Sequence, residues 1–365
     1  MTTAVLAPRI APLLEHITPN WFASVMGTGI VANAAATLAP QLRTPLLHTF
    51  AAVVWGVAVV ALVALTIAFG AHRALHTETA RGYAAHPVMS LFYGAIPMAL
   101  LTVGSGTLLV GTEIIGVTAA LWIDGTLWAV GTILGLGTAL QFGTALRFGT
   151  LLRSPKLSEK PIPAMLMPVV PPVVSATAGA ILLEYMSAGI FRTAFLIACY
   201  GLFALGVILG SVVMTRICRH LAGGGTPPLQ AVPTVWITLG LVGQSITAAN
   251  VLAADARVAW LHDVGIAYGV CAGLFGVVMF TAAASLTIRA ARSGLQFSLT
   301  WWSFTFPIGT CVTASAALGT AVGIGAAADA LHVVAVGLFL LLLTAWSIVA
   351  AKTVRGTLGE LQPMS

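Results

Sequence analysis

Ten stretches of about 20 predominantly apolar residues, the length a helix needs to cross a bilayer, take up nearly the whole of this 365-residue chain. They lie near 19–39, 46–70, 87–110, 119–146, 162–183, 193–215, 230–253, 260–288, 298–322 and 330–351. The chain therefore reads as an all-α integral membrane protein with an N-terminal lead (1–18), one transmembrane domain (19–351) and a C-terminal tail (352–365). No stretch remains for a soluble domain. The lead carries Arg9 but no continuous apolar core or small-residue cleavage site, so it is not read as a signal peptide.

Only 7% of the residues are charged, against about 25% in soluble domains, and their positions fix an orientation. Thirteen of the 16 basic residues fall on one side of the spans, with only Arg43, Arg192 and Arg257 on the other. Lys and Arg stay cytoplasmic, so both termini are expected inside, in a plasma (inner) membrane. Despite a net charge of +6, no basic stripe dense enough for nucleic acid is present. The four cysteines (Cys199, Cys218, Cys271, Cys311) lie in apolar stretches without CxxC spacing, and read as small buried hydrophobes with no metal site. No cofactor is implied.

The links on the outer side (40–45, 111–118, 184–192, 254–259, 323–329) are all short, and short links join antiparallel neighbours. The ten helices thus pair into five hairpins. Proline separates the two members of each pair: Pro19, Pro87, Pro97, Pro161, Pro163, Pro168, Pro171, Pro172, Pro233 and Pro307 fall on odd helices or their starts, and only Pro45 on the even set. Proline removes a backbone bond, and the freed carbonyl is tolerated in a membrane only beside protein or water. The odd helices are therefore expected to line a central pore, with the even helices facing lipid or another subunit.

Small and hydroxyl residues recur on the odd helices and supply the candidate lining: Gly27, Thr28, Thr102, Ser105, Pro172, Ser175, Gln244, Ser245, Thr310 and Thr313. No Asp, Glu, Lys, Arg or His lies between the ends of these helices. A cation pathway ordinarily needs acidic rings or ordered carbonyls, so the distribution favours small anions, which the free backbone donors of interrupted helices can cradle. Asp124, His262, Asp263 and His332 enter even helices near their outer ends, beside Trp122 and Trp260. They fit either interfacial solvation and subunit contact or an outer site with a proton-sensitive gate. In Trp301-Trp-Ser-Phe-Thr-Phe-Pro307, the proline is expected to break the ninth helix. Phe304 and Phe306, about 200° apart on a helix, cannot both face the axis, so one should point into the pore and one should pack.

These segments resemble the tellurite-resistance/dicarboxylate transporter family of the voltage-dependent anion channel superfamily, which takes in malic acid transporters, sulfite efflux pumps and the plant slow anion channels. The resemblance is carried by Pro19-Asn-Trp-Phe-Ala-Ser-Val-Met-Gly-Thr-Gly-Ile-Val31, Ile96-Pro-Met98, Met167-Pro-Val-Val-Pro-Pro-Val-Val174, Gly243-Gln-Ser245 and Trp301-Trp-Ser-Phe-Thr-Phe-Pro-Ile-Gly309, and is nearest the malate/sulfite branch. It implies five hairpins in quasi-fivefold arrangement, a homotrimer with one pore per subunit, no enzymatic activity, and a gate at Phe306, the residue directly before the ninth-helix proline. Phe306, Thr310 and Thr313 would then share a face. Leu241 stands where many relatives have proline, which leaves the seventh helix straighter.

The expected function is transport of small anions, C4-dicarboxylates such as malate, sulfite or related oxyanions, through a neutral pore. One alternative is proton-coupled dicarboxylate uptake, for which Asp124, His262, Asp263 and His332 are the titratable candidates. A remote one is a membrane redox protein, for which haem would require paired histidines at matching depth, and His262 and His332 are a poor pair.

Overall fold

A computed structural model describes residues 14–15, 17–147 and 161–361. The lead before residue 14 and the basic link with Arg153, Lys156 and Lys160 lie outside the described residues. The described chain is helical, with no strand among the described residues. The five inner helices are α1 (Phe22–Leu42), α3 (Ala95–Gly106), α5 (Pro171–Leu183), α7 (Ile237–Ala256) and α9 (Phe306–Val322). The five outer helices are α2 (Pro45–Leu75), α4 (Val117–Arg147), α6 (Ile190–Ala222), α8 (Ala259–Arg292) and α10 (Ala326–Leu361). Nine membrane-crossing segments are long and apolar among the described residues, and the third inner segment, which holds α5, is the exception.

That exception has a cause. The sequence predicts a span over 162–183, but the structure holds a 3-10 turn (Pro163–Leu166), a break, and then only the 13 residues of α5. At 1.5 Å per residue such a helix is about 20 Å long, short of the ~30 Å hydrocarbon core. Pro168, Pro171 and Pro172 cannot continue a helix through the break.

The same device opens every inner helix. Each is preceded by a 3-10 segment, namely Pro19–Trp21, Met89–Gly94, Pro163–Leu166, Leu229–Trp236 and Leu299–Phe304. Pro19, Pro163 and Pro233 lie in these segments. Pro97, Pro171, Pro172 and Pro307 lie in the first α-turn behind them, where the missing N–H has no intrahelical partner to lose. Pro168 falls in the break before α5, and Pro40 in the last turn of α1. Pro307 accordingly does not kink a continuous ninth helix as the sequence suggested; it stands at the start of α9, where 3-10 geometry gives way to α. Leu241 lies within the uninterrupted α7 and fills a notch over Gly210 of α6.

Packing places the proline-bearing helices at the centre. α1 touches α3, α3 touches α5, α5 touches α7, α7 touches α9, and α9 returns to α1. Each outer helix packs on its own hairpin partner and on the next inner helix around this closed ring. In the apolar windows, 89% of the first span is buried against 22% in each of α4, α6, α8 and α10. The outer helices turn Val60, Ile133, Ile208, Leu274 and Leu340 outward, as a lipid-facing surface requires. Cys271 is on that surface, contrary to the buried reading, while Cys199 is buried.

Indole N–H groups tie the two layers together. Trp55 donates to Thr107 Oγ1 (3.3 Å), Trp128 to the Ser175 carbonyl (2.9 Å), and Trp346 to Thr28 Oγ1 (3.1 Å), each from an outer helix to an inner one. Trp236 and Trp302, in the 3-10 segments, donate outward to Thr287 (2.9 Å) and Thr353 (3.1 Å). The last contact belongs to a helix that continues past residue 351 to Leu361.

At the opposite, hairpin end of the ring, Arg192 fastens three elements. Its guanidinium meets Asp255 Oδ1 at 2.6 Å and also donates to the carbonyls of Asp255 (3.2 Å) and Leu183 (3.3 Å). The two side chains are only 17% and 13% exposed. Removing one partner of such a pair leaves the other charge desolvated, which costs about 3 kcal/mol or more. Arg192→Met should therefore lower unfolding stability in detergent by about 3 kcal/mol, and adding Asp255→Asn should restore part of it.

Gly94 tests the close backbone approach at the 3-10 end, where a Cβ would fall on the Met167 carbonyl. Gly94→Ala should cost about 1–3 kcal/mol. Gly137→Ala, which meets nothing within 4 Å, should be neutral or stabilising by up to ~1 kcal/mol, as read from melting in the same detergent.

Candidate functional site

The five inner helices enclose a cavity of about 680 Å³ that opens at the hairpin end. Each contributes a stripe at helical spacing: Ile30, Asn33, Thr37 and Gln41 from α1; Thr102, Ser105 and Leu109 from α3 and its continuation; Val174, Thr177 and Ile181 from α5; Gln244, Thr247 and Asn250 from α7; Phe306, Thr313, Ala317 and Thr320 from α9. Steps of three, four or seven residues keep side chains on one face of a helix, so each stripe is continuous along the wall.

Four of the ten expected lining residues are in this wall: Thr102, Ser105, Gln244 and Thr313. The other six are placed between helices. Gly27 lets α1 approach Trp302 and Thr305. Thr28 accepts the Trp346 indole bond. Pro172 packs at Gly206 of α6, and Ser175 is fully buried, its carbonyl taken by Trp128. Ser245 donates to the Val242 carbonyl. Thr310 donates to the Pro307 carbonyl (2.7 Å) and packs against Gly243 of α7, so it does not share the cavity face of Phe306 and Thr313.

The wall hydroxyls have a common orientation. Thr37 donates to the Asn33 carbonyl (2.8 Å), Thr102 to Met98 (2.6 Å) and Ser105 to Leu101 (2.9 Å). Thr177 donates to Val173 (3.2 Å), Thr247 to Gly243 (3.1 Å), Thr313 to Thr310 (3.0 Å) and Thr320 to Ala316 (3.0 Å). Asn33 donates its amide to the Thr102 carbonyl (3.1 Å) and Asn250 to Ile246 (2.9 Å), and the Oδ1 of each is buried without a partner among the described residues.

Charge appears only at the mouth, where Glu184, Asp255, Arg257 and His262 line the cavity. Burial, and then the Asp255 carboxylate beside it, hold Glu184 above the ordinary carboxylate range. Arg257 holds a left-handed backbone (φ 53°) at the end of α7, as Arg43 does (φ 50°) at the end of α1. The sequence reading passed over Asn33, Asn250, Thr247 and Arg257. For the first three, polar residues at successive three-residue steps from Gln244 or within α1 were the available signal.

Phe306 forms the floor. It is 3% exposed and borders both the large cavity and a second void of about 10 Å³ on its far side. That void is lined by Met26, Met98 and Met167 from three different inner segments, with Ile237, Ser303 and Pro307. Phe304 turns away, edge-on to Trp236 (5.9 Å) and Trp301 (5.7 Å). The two phenylalanines thus divide as their angular separation requires, one at the axis and one in the packing.

The polar residues of the outer helices divide as well. His262 lines the cavity and Asp263 is exposed. Asp124 is not solvated at an interface: it is 1% exposed, pressed against Gly104 of α3, and neither carboxylate oxygen has a partner among the described residues. His332 lies over Gly319 of α9. No cluster of potential metal ligands occurs among the described residues.

The ring of interrupted helices thus surrounds a hydroxyl-lined cavity that carries charge only at its mouth and has one aromatic side chain at its floor. The chain is similar to sulfite efflux pump SSU1 of Arthroderma otae, 25% identical over 327 residues that cover 84% of this chain and 82% of that one. The corresponding pump of Trichophyton rubrum is 24% identical over the same coverage. An uncharacterized transporter of Methanocaldococcus jannaschii is 24% identical over 307 residues, 83% of this chain and 84% of its own. Residues 16–354 match the family model of the voltage-dependent anion channels, SLAC1, and the chain belongs to that family of transporters and channels.

Proposed function

We propose that the protein conducts small oxyanions, sulfite foremost and C4-dicarboxylates such as malate after it, through the axis of the inner ring, and that Phe306 is the gate. One observation carries this reading: Phe306 lines both the large cavity and the small void bordered by Met26, Met98 and Met167. The absence of charge between the ends of the inner helices supports it, since a fixed charge would either trap an anion or repel it. The pump relatives support sulfite. In this reading the protein is a multi-pass component of the plasma membrane with both termini cytoplasmic, the hairpin end faces outward, and the subunits assemble as homotrimers.

Proton-coupled uptake is the second reading. It draws on His262, the one histidine or aspartate of the four outer candidates that lines the cavity; Asp124 stands behind α3.

Opening requires a buried phenyl ring to leave its packing, which costs about 1.5–3 kcal/mol, and each 1.36 kcal/mol is tenfold in rate. Phe306→Ala should therefore raise sulfite and nitrate flux into proteoliposomes by roughly 10- to 100-fold. Flux no higher than wild type, in protein of unchanged elution profile, would remove the gate.

The mouth should respond to acid. Glu184 titrates above the usual carboxylate range, so as pH falls it takes up its proton earlier than a free glutamate and the mouth loses a negative charge. The folded state favours the protonated form, so stability from this group is present below the unfolded-state value and is lost as pH rises through the folded one. A unit charge acting across a hydrated vestibule is worth about 0.5 kcal/mol, roughly twofold in local anion concentration. Anion current should rise about twofold on acidification of the hairpin side, and Glu184→Gln should show the higher current at neutral pH with that pH dependence removed.

A further inference from the structure

The hydrogen bonds of the wall say more about the permeant than its size does. Resting on the anion-permease reading above, we propose that this cavity selects anions that carry their own O–H, such as hydrogensulfite or a hydrogen dicarboxylate, over anions of equal charge with no proton to donate.

The argument is an inventory of donors. All seven hydroxyls in the wall donate their single proton to a carbonyl three or four residues earlier in their own helix. They face the cavity with lone pairs only. Thr247 and Thr313 also approach each other at 3.0 Å, so their two protons are shared among the carbonyls of Gly243 and Thr310 and one another, with none left for a ligand. Asn33 Oδ1 and Asn250 Oδ1 are buried toward Gly106 and Gly265 and present nothing to the cavity. Side-chain donors in the wall are confined to the Gln41 and Gln244 amides and, at the mouth, Arg257 and His262.

An anion that offers only lone pairs must draw hydroxyl protons away from the helix carbonyls, which keep their backbone N–H partner but lose this second hydrogen bond. A hydrogen oxyanion has no such conflict. Its O–H meets the acceptor-rich wall, while its charge is met by the Gln41 and Gln244 amides and, on entering, by Arg257. The protein therefore needs no fixed positive charge in the ring to hold such a species, and a site built to satisfy a ligand O–H discriminates against the analogue that lacks it.

The test uses full-length protein in planar bilayers, with reversal potentials for hydrogensulfite against methanesulfinate, in which a methyl group replaces the hydroxyl at the same charge. The series is run at a fixed acid pH in the Glu184→Gln background. This removes the one mouth carboxylate not paired with an arginine and keeps Asp255, Arg192, Arg257 and His262 in a constant state. Hydrogensulfite should be preferred by about fivefold or more, the worth of one hydrogen bond. Thr247→Val with Thr313→Val should reduce that ratio to near one; if this pair fails to fold, Thr177→Val, in the less buried part of α5, should reduce it in part. Equal permeability of the two anions, or a preference untouched by every foldable Thr→Val variant, overturns the proposal and leaves the anion-permease reading standing. No current for sulfite, methanesulfinate or nitrate, even with Phe306→Ala, overturns both.

Discussion

A chain that opens a passage through hydrocarbon must interrupt helices, and every interruption frees backbone groups that no lipid can satisfy. The rest of this structure follows from how those groups are placed. The interruptions are gathered at one end of five helices and given 3-10 geometry, so the carbonyls keep partners three residues on. Pro19, Pro171, Pro172 and Pro307 stand at segment starts, where the N–H would be an orphan in any case. The ring of inner helices then shields these segments from lipid. The unbroken outer helices of 31 to 36 residues take the lipid face, where an interruption would be most costly.

That division also shapes the cavity. The α-helical parts of α3, α5 and α9, 12, 13 and 17 residues long, reach from the middle of the ring to the hairpin end, and there the wall is regular, hydroxyl-lined and wide. The 3-10 segments approach each other more closely, backbone against backbone at Gly94 and Met167, so the opposite end narrows. Phe306 is the first residue of α9, and so it falls at the junction between the wide and narrow halves. The position of the ring is a consequence of where 3-10 geometry ends.

Much of this could be read from residue order. Alternating proline separated inner helices from outer ones, since only protein-facing backbone tolerates it, and the two-residue spacing of Phe304 and Phe306 required them to part. The helical phase of the wall could not be read in the same way. A threonine on an inner helix is buried whichever way it points, and its proton goes to its own helix in every case, as Thr28 aside, Thr102, Thr310 and Thr313 all do. Nothing in composition or hydropathy then distinguishes Thr310, which faces α7, from Thr313, which faces the cavity. Asp124 was misread for a related reason. Its nearness to a span end suggested water, but Gly104 on the neighbouring helix provides a notch for the carboxylate, and that contact is 20 residues away in the chain.

Under the gating role proposed for Phe306, the residues beneath it determine how readily it moves. Val and Ile are stiff at χ1 and resist displacement, whereas methionine is unbranched, with a polarizable thioether that adapts to irregular gaps. Three methionines from α1, α3 and the segment before α5 meet under the ring, enclosing a void of only about 10 Å³. The floor is thus tightly filled with the side chains best able to repack, and it contains no charge pair to break. Opening would exchange one set of apolar contacts for another, so its free-energy change is of the size of a single buried side chain, a few kcal/mol. A differential affinity of that order is within reach of a bound anion, which would allow the permeant itself to bias the gate.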